Sequence, residues 1–416
     1  MNVNKVIAPF QKMTQLRDLQ LNLDSERILD SDMGRFISYL QNIKSLRRLF
    51  LSLANTALMN FDSNSGLLPE LSCLNQVNFL GFHMSGVNDL TLAKIHNITQ
   101  AISRLNHLRG LDFEIFTINN LSAEVFGHIG EMISSFPELE SLRMFIERFR
   151  RTDSVNFQKF GKGFGQLLRL RSLKLKLFAL TVSETDIDGF INNISQSKHL
   201  EELQLIMDRF PNIKTRHFKV LGDLIEGSQQ LKHLNIIVAG ETIKSQDCSP
   251  LMKSIQHAQN LLSLDMKIDV RDEDAVDLAK SISYLQKLKN LSLSWGDTAG
   301  PESAQVLAVS LKNLKDLDSI SISYSHNDKI RDMDVEAIIN ALKHLKYITT
   351  LEFKFYWCPE ISQPTVINIM ELVTRARMLK EFIVIVSNCG SISIEENELL
   401  ERLKYCYWIG KRTFSL

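Results

Sequence analysis

One apolar pattern, with hydrophobic residues at positions 1, 4, 6 and 8, recurs thirteen times along this chain. It runs from Leu16-Leu19-Leu21-Leu23 and Leu46-Leu49-Leu51-Leu53, through Leu170-Leu173-Leu175-Leu177, to Leu379-Phe382-Val384-Val386, at a spacing of about 30 residues. The weakest copy is the third, read as Leu74-Val77-Phe79 with Gly81 at position 8. Alternation at positions 4, 6 and 8 has the period of a half-buried strand, so these side chains face a core while positions 3, 5 and 7 face away.

A second pattern lies upstream of each strand, with small or apolar residues 13, 10, 9, 6 and 3 positions before position 1. Val335, Ile338, Ile339, Leu342 and Leu345 show it before Ile348, and Met33, Phe36, Ile37, Leu40 and Ile43 show it before Leu46. Spacings of 3 and 4 define one face of an α-helix. The unit is therefore strand, loop, helix, loop. Parallel strands would line a concave face, and the wider helices on the convex face would force an arc.

On these residues the chain resembles the leucine-rich repeat family, and its long helical repeats are similar to the ribonuclease-inhibitor-like subclass, which includes Ran GTPase-activating protein. The resemblance covers roughly residues 3–409 and implies an α/β leucine-rich-repeat solenoid, a right-handed horseshoe. The repeat style is also similar to arrays of ciliates and other protists. One departure concerns position 9, where the family pattern has Asn or Cys and this chain has residues such as Asp24, Phe116, Gly296, Tyr356 and Ser387. Turns without an Asn ladder are expected to be looser and more varied.

The whole of 1–416 reads as one repeat domain. Residues 1–15 form an N-terminal helix in phase with the array, 16–390 hold the thirteen repeats, and 391–416 form a capping helix and tail, since solenoids need terminal units that shield the core. In the third repeat Asn64, Ser65, Gly66 and Pro69 interrupt helix propensity, so residues 61–72 are expected to form an irregular helix.

The 48 basic and 48 acidic side chains cancel, so no global field draws the chain to nucleic acid or to an anionic membrane. The N-terminus lacks the apolar core of a signal peptide, and no apolar run reaches about 18 residues. Five widely separated cysteines, without a CxxC pair, fit a reducing compartment. An intracellular protein without membrane insertion is expected, cytoplasmic first, with the nucleus and the cilium or cytoskeleton as alternatives, and sequons such as Asn97-Ile-Thr99 are then chance matches.

No motif carries catalysis. Gly161-Lys162-Gly163-Phe164-Gly165 superficially resembles a phosphate loop, but Gly161 occupies the slot nine before Leu170, filled elsewhere by Gly130, Gly222, Ala279 and Ala308, where a small residue permits close helix packing. The acidic runs 269–277 and 328–334 lack the glycine and terminal glutamate of an EF-hand and stand before helices, where carboxylates cap free N–H groups. The ten histidines form no HExxH or Cys/His cluster. No catalytic residue, cofactor or metal is expected.

Partner-binding residues must then come from outward strand positions. Arg143, Phe145, Lys174 and Lys176, next to a loop with Arg148, Arg150 and Arg151, form a basic patch with aromatic neighbours. Phe50 and Leu80 make one apolar anchor, Ile206 and Ile237 another, and Ile383 and Ile385 lie on the last strand. These features predict a non-enzymatic protein-interaction scaffold whose partner presents an acidic surface. The alternatives are a regulator of a GTPase or other enzyme, in the manner of Ran GTPase-activating protein, and a structural subunit of a cytoskeletal or ciliary assembly.

Overall fold

The structure, a computed structural model, describes residues 10, 13, 15–24, 29–54, 61, 66–86, 91–115, 124–146, 154–178, 182–208, 210, 212–239, 243–345, 347–393 and 411–415. The chain divides into two compact units, Met1–Asn212 and Ile213–Leu416. Of the N-terminal helix expected over 1–15 only residues 10, 13 and 15 are described, and of the capping helix and tail expected over 391–416 only 391–393 and 411–415.

In the first unit, strands β1 (Asp18–Asp24), β2 (Arg48–Ala54), β3 (Phe79–Ser85), β4 (Gly110–Ile115), β5 (Ser141–Ile146), β6 (Ser172–Phe178) and β7 (Glu202–Asp208) pair in chain order, all parallel. Between them lie helices α1 (Asp30–Leu40), α2 (Leu67–Leu71), α3 (Leu92–Ser103), α4 (Glu124–Ser134), α5 (Ser154–Phe164) and α6 (Glu184–Ile194). Inward residues align rung by rung, as in Leu142↔Leu173 and Met144↔Leu175, and are fully buried. Phe126, Phe157, Phe160 and Phe190 join α4, α5 and α6, with Phe160 and Phe190 stacked at 5.6 Å.

The glycines of the supposed phosphate loop belong to this helix layer. Gly161 and Gly163 lie within α5. A Cβ on Gly161 would touch Phe190 Cα at 3.0 Å, one on Gly163 would press on the Gly130 carbonyl oxygen, and one on Gly130 would press on the Lys159 carbonyl oxygen. Close helix approach explains them.

The third repeat corrects the expected register by three residues. Strand β3 pairs Leu80 with Leu49, Phe82 with Leu51 and Met84 with Leu53. Leu80, Phe82 and Met84 are therefore the inward positions, and all are fully buried. Leu80 is not an exposed anchor. The ambiguity arises because Leu71, Leu74, Val77 and Leu80 are spaced by three, so several frames satisfy the leucines; only alternation through Met84 selects the right one. The helix expected to be irregular is short, five residues at Leu67–Leu71. Gly66 precedes it at φ +83°, packed against the Asp30 carboxylate, which accepts a hydrogen bond from Leu67 N at 3.0 Å.

In the second unit β8 (His233–Ala239), β9 (Ser263–Ile268), β10 (Asn290–Trp295), β11 (Ser319–Ser325), β12 (Thr350–Tyr356), β13 (Glu381–Ser387) and β14 (Lys411–Ser415) again pair in parallel in chain order. Their helices are α7 (Thr215–Gly227), α8 (Ser249–Ser254), α9 (Asp272–Ile282), α10 (Pro301–Leu311), α11 (Asp332–Leu342) and α12 (Gln363–Arg375). Strand β14 shows that the tail adds a further rung, so β13, with Ile383 and Ile385, is not the last strand. Each unit is an α/β leucine-rich-repeat stack. Among the described residues no helix is long and apolar enough to cross a membrane.

The turn-filling ladder is present in the second unit, at position 11 rather than 9. Asn327 is fully buried and donates from Nδ2 to the Gly296 and Ala299 carbonyls at 2.8 and 2.7 Å, while its Oδ1 accepts from Lys329 N and Ile330 N. In the next two repeats Cys358 donates to Tyr324 O and Cys389 to Phe355 O, both at 3.6 Å. The preceding residues His326, Trp357 and Asn388 share a left-handed φ of 54–56°. These turns are regular, not loose.

The acidic runs act as caps, and they reach further than expected. Asp274 and Asp334, at the third helical position, pair back to Arg271 and Arg331 beside their own helix starts. Asp272 and Asp332, at the first position, instead cap the following helix. Asp272 accepts from Gly300 N and Ser303 N at the start of α10, and Asp332 accepts from Ser362 N and the Thr365 hydroxyl at the start of α12.

Candidate protein interface on the strand face

Outward side chains of the first unit form an ordered lattice across β2 to β7, with each strand's residue reaching the next. Phe50 lies across Gly81, where a Cβ would collide with the ring. The ring then meets His83 edge-on, with centroids 4.4 Å apart. Phe79 lies across Gly110 in the same manner and carries the Arg48 guanidinium 4.6 Å from its ring centroid. Glycine at these two outward positions is what allows a phenylalanine to lie flat on the neighbouring strand.

Beyond His83 the lattice becomes ionic. Its Nε2 lies 2.8 Å from Asp112 Oδ1 and its Nδ1 3.3 Å from Glu114 Oε2. Donation to both at once requires a proton on each nitrogen. From the other side Arg143 Nη1 donates to both Asp112 oxygens at 3.0 Å and pairs with Glu114. The Asp112 and Glu114 side chains are only 12% and 5% exposed, so their charges need the Arg143 guanidinium close by.

The remaining basic residues are also engaged. Lys174 Nζ pairs with Glu202 at 2.7 Å. Lys176 lies over the Phe145 ring at 5.6 Å, and Phe145 packs on Phe178 at 5.3 Å. Of Arg143, Lys174 and Lys176, only Lys176 has no carboxylate partner among the described residues. Two of the three described cations of the expected basic patch are thus paired within the chain, Arg143 by Asp112 and Glu114 on the adjacent strand and Lys174 by Glu202. Reading position 5 across the strands, Phe50, Gly81, Asp112, Arg143, Lys174 and Gln204, is the signal that reveals this compensation.

His83, Asp112 and Glu114 each offer a donor atom within 4.8 Å of the others, a ligand set by residue type. The Arg143 guanidinium occupies the place a cation would take among them, and the two positive charges would repel. The arrangement therefore works as an ion-pair network that fixes side chains, with half-buried aromatic rings on either side.

Other expected residues fall differently. Arg148, Arg150 and Arg151 lie outside the described residues. Ile206 is buried at 8% exposure, while Ile237 in the second unit is half-buried. Apart from Ile237, Ile383 and Ile385, polar side chains pair across the second unit's outward face: Asn235 donates to Asp265 at 3.1 Å, and Ser321 donates to Glu352, which also pairs with Lys354 at 2.6 Å. Burial pushes the Asp265 carboxyl above its usual range, partly opposed by a hydrogen bond from Ser292.

No protein-family model matches this chain, and no curated protein matches it. Among solved structures it is similar to a chain in the crystal structure of the Rad7 and Elc1 complex in yeast, at 11% identity over 89% of each chain and a TM-score of 0.47.

Proposed function

We propose that this protein is a non-enzymatic scaffold that binds a protein partner through the strand face of its first unit. The single observation that carries the reading is the lattice on β2 to β7, where aromatic and charged side chains of the kinds that dominate binding energies stand half-exposed in fixed geometry. Phe145, Phe178 and Lys176 form its half-exposed aromatic part: two rings packed on each other beside a cation without a carboxylate partner among the described residues. A partner segment with an apolar side chain for the rings and a carboxylate for Lys176 fits this site. The helical repeats support a ribonuclease-inhibitor-like reading of the array, and the dispersed cysteines support a reducing, intracellular setting.

The test is affinity purification with the intact chain, its Phe145→Ala/Lys176→Ala variant and a Lys159→Ala control on the helix side. The expected result is a partner set shared by wild type and control and lost from the double variant. The same partners on all three would overturn the proposed face.

A further inference from the structure

Position −3 of the repeat, three residues before the strand pattern begins, is a packing slot. In the first unit Ile43, Leu74, Leu105, Phe136 and Leu167 fill it and are buried, and so do Leu285 and Leu314 in the second. Small residues also take the slot at Ser228 and Ala258, where they are buried. At Ala376 the outcome differs. Ala376 is half-exposed, and Leu345, its neighbour one repeat earlier, is also half-exposed although the leucines in its slot elsewhere are covered.

Where the next large side chain would stand, a cavity of about 360 Å³ opens between the ends of α11 and α12. Its apolar wall includes Leu342, Leu345, Ile348 and Leu372, with Met378 at the mouth. The volume lies in the range of small-molecule sites, which pair an apolar wall with few polar groups. Three cations, Lys343, Arg375 and Arg377, line the same opening. Arg375 reaches Glu371 at 3.9 Å and Lys343 reaches the Asn340 side chain, whereas Arg377 has no ion pair among the described residues. Part of this positive charge complements the carbonyl ends of the two helices. Three cations set against one carboxylate still leave the mouth positive.

We propose that this cavity binds an anionic amphiphile, its unbranched apolar body against Leu345 and Leu372 and its single acidic head group at Arg377 and Lys343. A medium-chain fatty acid is the type. The feature that creates the site is the missing side chain at Ala376, so filling that slot must close it.

The experiment titrates the full chain with decanoate below its micelle concentration by calorimetry, with decanol and an acidic peptide carrying one leucine as the other arms. The expected result is saturable 1:1 binding of decanoate, with decanol weaker by roughly fivefold or more because it lacks the charge. Ala376→Leu is expected to fold normally by circular dichroism and to weaken decanoate binding by at least about tenfold. Should that variant fail to fold, Arg377→Glu, an exposed change, supplies the second test: it should weaken decanoate and favour decylamine. No binding to wild type at millimolar decanoate, undiminished binding to a folded Ala376→Leu variant, unchanged head-group preference in Arg377→Glu, or tighter binding of the peptide would each overturn the proposal.

Discussion

Replacing Arg143 with methionine removes the guanidinium that neutralises two carboxylates while retaining most of the side chain's apolar bulk. Breaking a buried ion pair by deleting one partner costs about 3–5 kcal/mol, because the other charge stays buried. Here the stranded groups are buried, but the Arg143 side chain is itself 37% exposed, so water enters where it stood and His83 still faces both acids. That discounts the loss to about 2–3 kcal/mol. Adding Glu114→Gln to the Arg143→Met variant removes one of the two uncompensated charges and should restore about 1–2 kcal/mol, a coupling of the size found for residues in one network. All three tryptophans, Trp295, Trp357 and Trp408, belong to the second unit, so their fluorescence is a poor reporter of this site. Urea titration followed by circular dichroism, with hydrogen exchange on peptides covering β4 to β6, reads the first unit directly. A loss below about 0.5 kcal/mol, or strictly additive effects of the two substitutions, would refute the claim that the network holds these strands together.

Other expectations rest on separate contacts. Asp332→Ala should cost about 1–2 kcal/mol in urea denaturation, since it uncaps α12 rather than its own helix; Asp332→Asn, which keeps an acceptor, should recover much of that. Gly130→Ala, which forces a methyl onto the Lys159 carbonyl, should cost about 1–3 kcal/mol and speed exchange in both α4 and α5. His128 lies with Nδ1 3.2 Å from His96 Nδ1; burial first, and the His96 charge second, push its pKa below the ordinary 6.5. A depressed folded-state pKa means that the unfolded chain binds more protons, so the contribution is fully present above pH 6.5 and fades as pH falls toward the folded value. The pH dependence of stability between about pH 7 and 5 should therefore flatten in His128→Gln.

How far the sequence discloses this molecule depends on which physical rule each part obeys. Burial has a period, so the inward rows Leu49-Leu51-Leu53 or Phe382-Val384-Val386 and the helix stripes before them are legible from spacing alone. Register is less secure where leucines recur at intervals of three; Gly81, a poor occupant of an inward slot, and the alternation Leu80-Phe82-Met84 are the signs that the third repeat has another frame. Turn chemistry stays hidden when the ladder residue is sought at position 9, because Asn327, Cys358 and Cys389 fill position 11. The outward lattice follows no period at all. Arg143 reads as a free cation until β4 is set beside β5 and Asp112 is seen to lie opposite it.

That last point changes what kind of binding the face supports. A groove of unpaired cations would attract an acidic partner by releasing counterions and would lose affinity steeply with salt. Here Arg143 and Lys174 already hold carboxylates of their own chain, so an acidic partner must compete with Asp112, Glu114 and Glu202 for the same donors. Little net Coulomb energy remains to be gained there. Phe145 and Phe178 pack on each other with their rings half-exposed, and covering that remaining apolar surface releases water whatever the partner's charge. Binding at this site is therefore expected to depend on aromatic contact and shape, with Lys176 setting orientation, and to weaken only modestly as salt is raised.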